Sequence, residues 1–192
     1  MDEQLIIKKK TRKPLLFIAM LSMFMMFAGL TSAYIVSKHS TASTWREIDL
    51  PPAFLWSTVA IVLSSILLFI ASKQLKQANF TQLPKLTGLA LALGVAFTIF
   101  QFVGFDQLFE LKHYAAGEKS TAASSYIYAL VILHLAHMFT ALISLLVVTI
   151  RAFQNKYTKE HYLGFELAAM FWHFLGLIWL YLYIFLNTVN AV

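Results

Sequence analysis

Hydrophobic residues in this 192-residue chain gather into five long runs, with most charged residues confined to the stretches between them. The runs cover about Pro14–Val36, Pro52–Ser72, Leu86–Phe105, Ser125–Ile150 and Leu163–Asn187. At 1.5 Å of rise per residue, each can cross roughly 30 Å of hydrocarbon as a helix. A lipid-facing backbone must satisfy its own N–H and C=O groups, and within one segment only a helix does so. A barrel would show segments of roughly ten residues with alternating polarity instead. Interior Gly29, Gly94 and Gly176 do not break the runs, because glycine is common in membrane helices. The pattern predicts an all-α membrane protein, a bundle of five transmembrane helices forming one domain over residues 14–187. A basic tail precedes it at 1–13 and a short external tail follows at 188–192.

Composition removes the soluble alternative. The chain is 59% hydrophobic and 12% charged, against about 25% charged for an ordinary soluble domain. Its formal charge of +6 is a topology signal and no nucleic-acid footprint, because the basic residues are grouped by side. Eleven of the 15 Lys and Arg lie in the N-terminal tail (Lys8, Lys9, Lys10, Arg12, Lys13), the second loop (Lys73, Lys76, Lys85) and the fourth (Arg151, Lys156, Lys159). The other side holds only Lys38, Arg46, Lys112 and Lys119, beside Glu47, Asp49, Asp106, Glu110 and Glu118. The positive-inside rule places the N-terminus in the cytoplasm and the C-terminus outside. Trp45, Trp56, Tyr126 and Tyr128, with Trp179 to Tyr183, are expected to form an outer aromatic belt. The apolar run after Lys13 is too long for a signal-peptide core and is read as an uncleaved anchor. Without cysteine there is no disulfide, thiolate metal site or covalent haem attachment.

Ionisable groups inside a membrane are costly and mark candidate sites. His134 and His137 share a face of the fourth helix at i, i+3, and Glu166 and His173 share one of the fifth at i, i+7. Counting rise along each helix puts His137 and His173 within roughly 15–18 Å of a helix start, near mid-bilayer. A hydrogen-bonded His137–His173 contact is therefore open. Histidines on facing helices can ligate haem iron, and His with Glu can ligate a non-haem metal. The reading that best matches how membrane helices use polar groups is a structural network of His134, His137 and His173 that fixes packing. Near the cytoplasmic ends, Arg151 and Glu166 either form an interfacial ion pair or flank a lipid headgroup together with His161. On the first helix, Ala28, Gly29, Ser32 and Ala33 form two small-xxx-small pairs, suited to close packing within the bundle or to docking another subunit.

Several motifs resemble subunit III of the haem–copper terminal oxidases, the cytochrome c and quinol oxidases. The closing segment Gly164-Phe165-Glu166, Ala168-Ala169, Trp172-His173-Phe174, Trp179-Leu180 and Leu182-Tyr183 is similar to that family's signature in composition and spacing. His134-Leu135-Ala136-His137 resembles its His-Gly-Leu-His. Arg151 and His161 fall where the family carries an Arg and a His, and Ser22 to Gly29 resembles its Ser-Glu-Val…Phe-Ala-Gly. The likeness runs from about residue 14 to 187 and fits a short five-helix bacterial form. Met23 replaces a family glutamate, Gly176 an aspartate, and Leu135 the glycine after the first histidine.

The resemblance implies a non-catalytic subunit of a respiratory complex that reduces O2 to water and pumps protons. Its direct partner would be the catalytic subunit I, with subunit II and further subunits nearby, in a bacterial inner membrane. Haems and copper would reside in those partners, and this chain would hold phospholipid near Arg151, His161 and Glu166. An accessory subunit of a nitric oxide reductase is an alternative. A small transporter or a stand-alone haem-b protein is an alternative of another class, although transporters usually show repeats or broken helices.

Overall fold

The computed structural model describes residues 3–41, 45, 48–77, 80–117, 120–158 and 162–190. Arg46, Glu47, Glu118, Lys119, Lys159 and His161 lie outside the described residues. Five helices follow one another: α1 (Glu3–Ser40), α2 (Pro52–Lys76), α3 (Leu83–Glu110), α4 (Ala122–Phe153) and α5 (Leu163–Asn190). Each contains a stretch long and apolar enough to cross a membrane. The helices outrun the apolar segments at most ends, and the N-terminal basic segment is itself helical from Glu3.

Local sequence explains the ends. α2 and α3 open on Pro52 and Pro84, whose missing N–H groups would be unpaired in a first turn anyway. Before α4, Thr121 and Ser124 cap each other: Ser124 N–H donates to Thr121 Oγ1 at 3.2 Å and Thr121 N–H to Ser124 Oγ at 3.1 Å. Both α3 and α4 end in a left-handed residue, Lys112 at φ 62° and Asn155 at φ 50°. Around Lys112, its N–H reaches Phe109 O and that of His113 reaches Leu108 O. Asn155 and Lys156 repeat the pattern onto Ala152 and Arg151. These are the paired bonds of a Schellman stop.

Helices α2 to α5 form a ring in which each touches the next and α5 closes onto α2, while α1 leans on α4 and α5 from outside. The hairpin of α2 and α3 is close because Gly104 lies against the Phe54 ring, where an added Cβ would sit 2.8 Å from Cζ. Ser64 Oγ–H donates to Ala90 O at 2.8 Å and Gln101 Nε2 to Ser57 Oγ at 2.9 Å across the same pair. The two helices on the ring's diagonal, α3 and α5, are bridged by the Trp172 indole resting on Gly94. Trp179, expected in an aromatic belt, is instead in the core: it donates from Nε1 to Thr58 Oγ1 at 3.0 Å and packs on Phe54 and Phe97. Its indole N–H finds a buried acceptor, so it has no need of the membrane surface. Trp56 is exposed.

The attachment of α1 is narrow. Its buried side chains Met20, Phe27, Thr31 and Tyr34 form a single seam. Three polar contacts to α5 punctuate it: Lys13–Glu166 at 2.7 Å, Thr31 Oγ1 with Tyr181 OH at 2.8 Å, and Lys38 Nζ donating to Val189 O. The remaining faces of α1 carry exposed Leu15, Ile18, Leu21 and Met25.

Gly94→Ala is expected to destabilise the fold, because its Cβ would lie 2.4 Å from Trp172 Cη2 and 3.0 Å from Leu142 Cδ2. The expected cost is about 1–3 kcal/mol of overpacking, read as a lower midpoint in detergent-denaturation titrations. Gly29→Ala, which meets nothing within 4 Å, should leave that midpoint unchanged or raise it.

Candidate functional site

The last turn of α4, the loop after it and the first turns of α5 bound a cleft of about 340 Å³. Arg151, Tyr157, Gly164 and Ser144 line it, together with apolar Leu16 of α1 and Phe171 of α5. The Schellman turn at Asn155 reverses the chain and brings Tyr157 back beneath α4. Arg151 stands over Gly164: a methyl there would sit 3.8 Å from one of the guanidinium's terminal nitrogens, an ordinary contact distance. A guanidinium at a helix N-terminus places positive charge beside the helix's own positive end. That juxtaposition favours an anion between them.

Glu166 is not that anion. The expected Arg151–Glu166 pair is absent; Glu166 turns to Lys13 of α1 instead, at 2.7 Å. The reason is reach: α1 crosses α5 at this level and presents an ammonium, while Arg151 extends along the cleft. Among the described residues Arg151 makes no ion pair. Tyr157 is 8% exposed and its hydroxyl has no hydrogen-bond partner. Burial pushes its phenol up to about 12 from 10.0, with Arg151 pulling modestly the other way. A second, smaller cleft of about 100 Å³ is lined by Tyr157 as well, together with Phe80 and Asn155.

The histidines separate. His134 and His137 share a face as their spacing predicts, and Phe27 of α1 meets both edge-on, at 6.2 and 6.1 Å. His134 is fully buried among Phe27, Phe97 and Trp179, and neither ring nitrogen has a partner. It serves as an aromatic plug. His137 Nδ1 lies 2.7 Å from Leu133 O in its own helix. His173 points elsewhere, into a groove between α2 and α5. No hydrogen bond joins the three, so the expected His137–His173 contact and the network built on it do not form. The two-turn spacing on α5 that buries Trp172 and Trp179 rotates His173 toward α2, away from α4. No group of three or more metal-ligating side chains converges among the described residues.

Ala28 and Ala33 are partly covered, while Gly29 and Ser32 are exposed. Nothing lies within 4 Å of the position a Gly29 Cβ would take. The small-residue face thus looks away from the bundle, and packing within the chain does not use Gly29.

A family model described as cytochrome c oxidase subunit III matches residues 6–190. The chain belongs to this family. Cytochrome c oxidase subunit 3 of Spodoptera frugiperda is 28% identical over 131 residues, covering 68% of this chain and 84% of that protein. That of Rattus norvegicus is 26% identical over 168 residues, covering 82% of this chain and 62% of the rat protein. That of Drosophila yakuba is 29% identical over 131 residues, covering 68% of this chain and 47% of its own length. The chain spans about half the length of several such curated relatives. As a subunit III, it is a multi-pass membrane protein of an oxidase family whose members work in complexes with other subunits.

In this subunit III, two site residues lay beyond the sequence reading. Lys13 is the last cation before the first apolar run, at the level where Glu166 begins α5. Tyr157 is an isolated aromatic in an otherwise polar turn. Those placements were the available signals.

The phenol of Tyr157 holds its proton more tightly folded than unfolded. Its contribution to stability is complete below about pH 10, its unfolded value, and is lost as pH rises toward about 12. Tyr157→Phe should flatten the fall in stability over that interval and cost little at neutral pH, because it removes a buried hydroxyl without a partner. Detergent-unfolding midpoints against pH, for both proteins, check this.

Proposed function

We propose that this chain is a non-catalytic subunit III of a respiratory haem–copper oxidase in a bacterial inner membrane. In this reading it docks on the catalytic subunit I through α1, with subunit II in the same complex. It holds phospholipid in the Arg151 cleft and supports proton uptake and sustained turnover. Haems and copper belong to the partner subunits, which reduce O2 to water. The grouping of cations in the tail and even loops supports a cytoplasmic N-terminus.

The observation that carries the docking is the outward small-residue face of α1. Small residues let two helix backbones approach closely, and in lipid such packing is a main source of association. Gly29 and Ser32 have no use for that property inside the chain. The lipid reading rests on the cleft: Arg151 offers a planar fork suited to phosphate, the α5 N-terminus adds positive potential, and apolar Leu16 and Phe171 suit an acyl chain. Tyr157 extends the expected set of Arg151, His161 and Glu166, and Glu166 contributes indirectly by holding Lys13.

Gly29→Leu adds bulk where the chain itself has open space. It should lower recovery of the catalytic subunit with the tagged chain in mild detergent by about tenfold, the equivalent of 1–2 kcal/mol of interface packing. Helicity and yield of the chain should hold; unchanged recovery would refute docking through this face. Arg151→Met keeps length and removes charge. It should reduce phospholipid retained after detergent washing by about one molecule per chain, measured by mass spectrometry of extracted lipid, and equal retention would remove lipid from the cleft.

A further inference from the structure

The groove between α2 and α5 has a volume of about 450 Å³ and lies halfway along both helices. Ile61, Phe69 and Leu177 give it apolar walls, with Leu177 66% exposed. Gly176 lets α2 come close to α5 here: a Cβ there would stand 3.3 Å from Ser65 Oγ and 3.6 Å from Ile61 Cγ1. Two polar side chains, His173 and Ser65, face the same space.

Lack of a partner sets Ser65 apart from the other hydroxyls of its helix. On α2, Ser57, Thr58, Ser64 and Ser72 all donate to carbonyl oxygens. Ser65 does not, and His173 has neither a hydrogen bond nor a ring contact among the described residues. Elsewhere His137 lies against a carbonyl oxygen of the preceding turn. At mid-bilayer there is no water to substitute, and each unsatisfied polar group costs several kcal/mol. A hydroxyl and an imidazole left open in the same apolar groove point to an occupant with a hydrogen-bonding group at that depth.

Depth selects the chemistry. A phospholipid's ester and phosphate groups are anchored near the interface, roughly 15 Å from the bilayer centre, and its tails carry nothing to accept a hydrogen bond. An isoprenoid quinone has ring carbonyls that are not tied to a headgroup. Its tail is apolar. The groove's size falls within the roughly 300–1,000 Å³ typical of small-molecule sites. We propose that this groove binds the ring of an isoprenoid quinone, with the Ser65 hydroxyl and a His173 ring N–H donating to its carbonyl oxygens. The proposal concerns binding alone and assigns no electron transfer to this chain.

The absence of cysteine makes a site-specific test direct. Leu177→Cys labelled with bimane places a probe at the groove. Phe139→Cys places one on the exposed face of α4, as far from the α4–α5 turn along its helix as Leu177 is along α5. The full chain is reconstituted in nanodiscs of phosphatidylethanolamine and phosphatidylglycerol and titrated with decylubiquinone. Quenching at the groove should saturate, at a quinone content about tenfold below that needed on α4. Ser65→Ala, which removes one oxygen and is the least likely change to disturb folding, should erase much of that difference, and His173→Phe should erase it further. Equal, unsaturable quenching at both positions would overturn the proposal. So would crosslinking of Leu177→Cys to another subunit's helix in complexes isolated from the native membrane.

Discussion

Within hydrocarbon a polar group that loses its protein partner gains nothing in return, and that constraint organises this bundle. Hydroxyls along the helices fold back on the carbonyls of the preceding turn: Thr31 on Phe27, Thr58 on Phe54, Thr87 on Leu83, Thr98 on Gly94 and Thr149 on Leu145. Those that do not fold back reach across to a neighbour, as Ser64 does to Ala90 and Trp179 to Thr58. Some of the groups that do neither face clefts. Tyr157 is in the cleft beside Arg151, and Ser65 and His173 are in the α2–α5 groove. Others are enclosed in the core, His134 among aromatic rings and Trp172 with its indole N–H unpaired.

The same constraint explains two modes of attachment. Ring helices are held by shape: Phe54 under Gly104 and Trp172 over Gly94 fill spaces that only glycine leaves. Association in lipid depends on such contact, because the lipid tails are as apolar as the side chains. α1 has no comparable glycine contact with the ring. Its seam of Met20, Phe27, Thr31 and Tyr34 is supplemented by polar contacts at Lys13, Thr31 and Lys38. An attachment of that kind fixes rotation and height while leaving most of the helix surface open. The face bearing Gly29 is thereby held in one orientation.

How much of this was legible follows from what sets each feature. The five spans could be read because apolar length is a one-dimensional property. Family membership was legible in the spacing from Glu166 to His173 to Trp179. Pairings were not. The histidines on α4 and α5 were expected to meet, but which face of α5 looks at α4 depends on how Trp172 and Trp179 seat against α3 and α2. Glu166 had two cations at one level of the membrane, and sequence alone does not tell which helix crosses it. Trp179 was assigned to the surface by residue type until a buried acceptor on Thr58 drew it inside.

The distance in sequence between α1 and the helix that secures it bears on biogenesis. Thr31 and Tyr181 are 150 positions apart, so α1 leaves the ribosome long before its anchor exists. At typical elongation rates of about 5–20 residues per second, that interval is roughly 8–30 s. Throughout it the nascent first helix resides in the bilayer without its polar contacts to α5 and with its outer face unclaimed. A preassembled neighbour could engage the outer face before the seam closes, so α5 would arrive to lock an encounter already made. Order of synthesis, written into the chain by the remoteness of these contacts, thus gives assembly a direction.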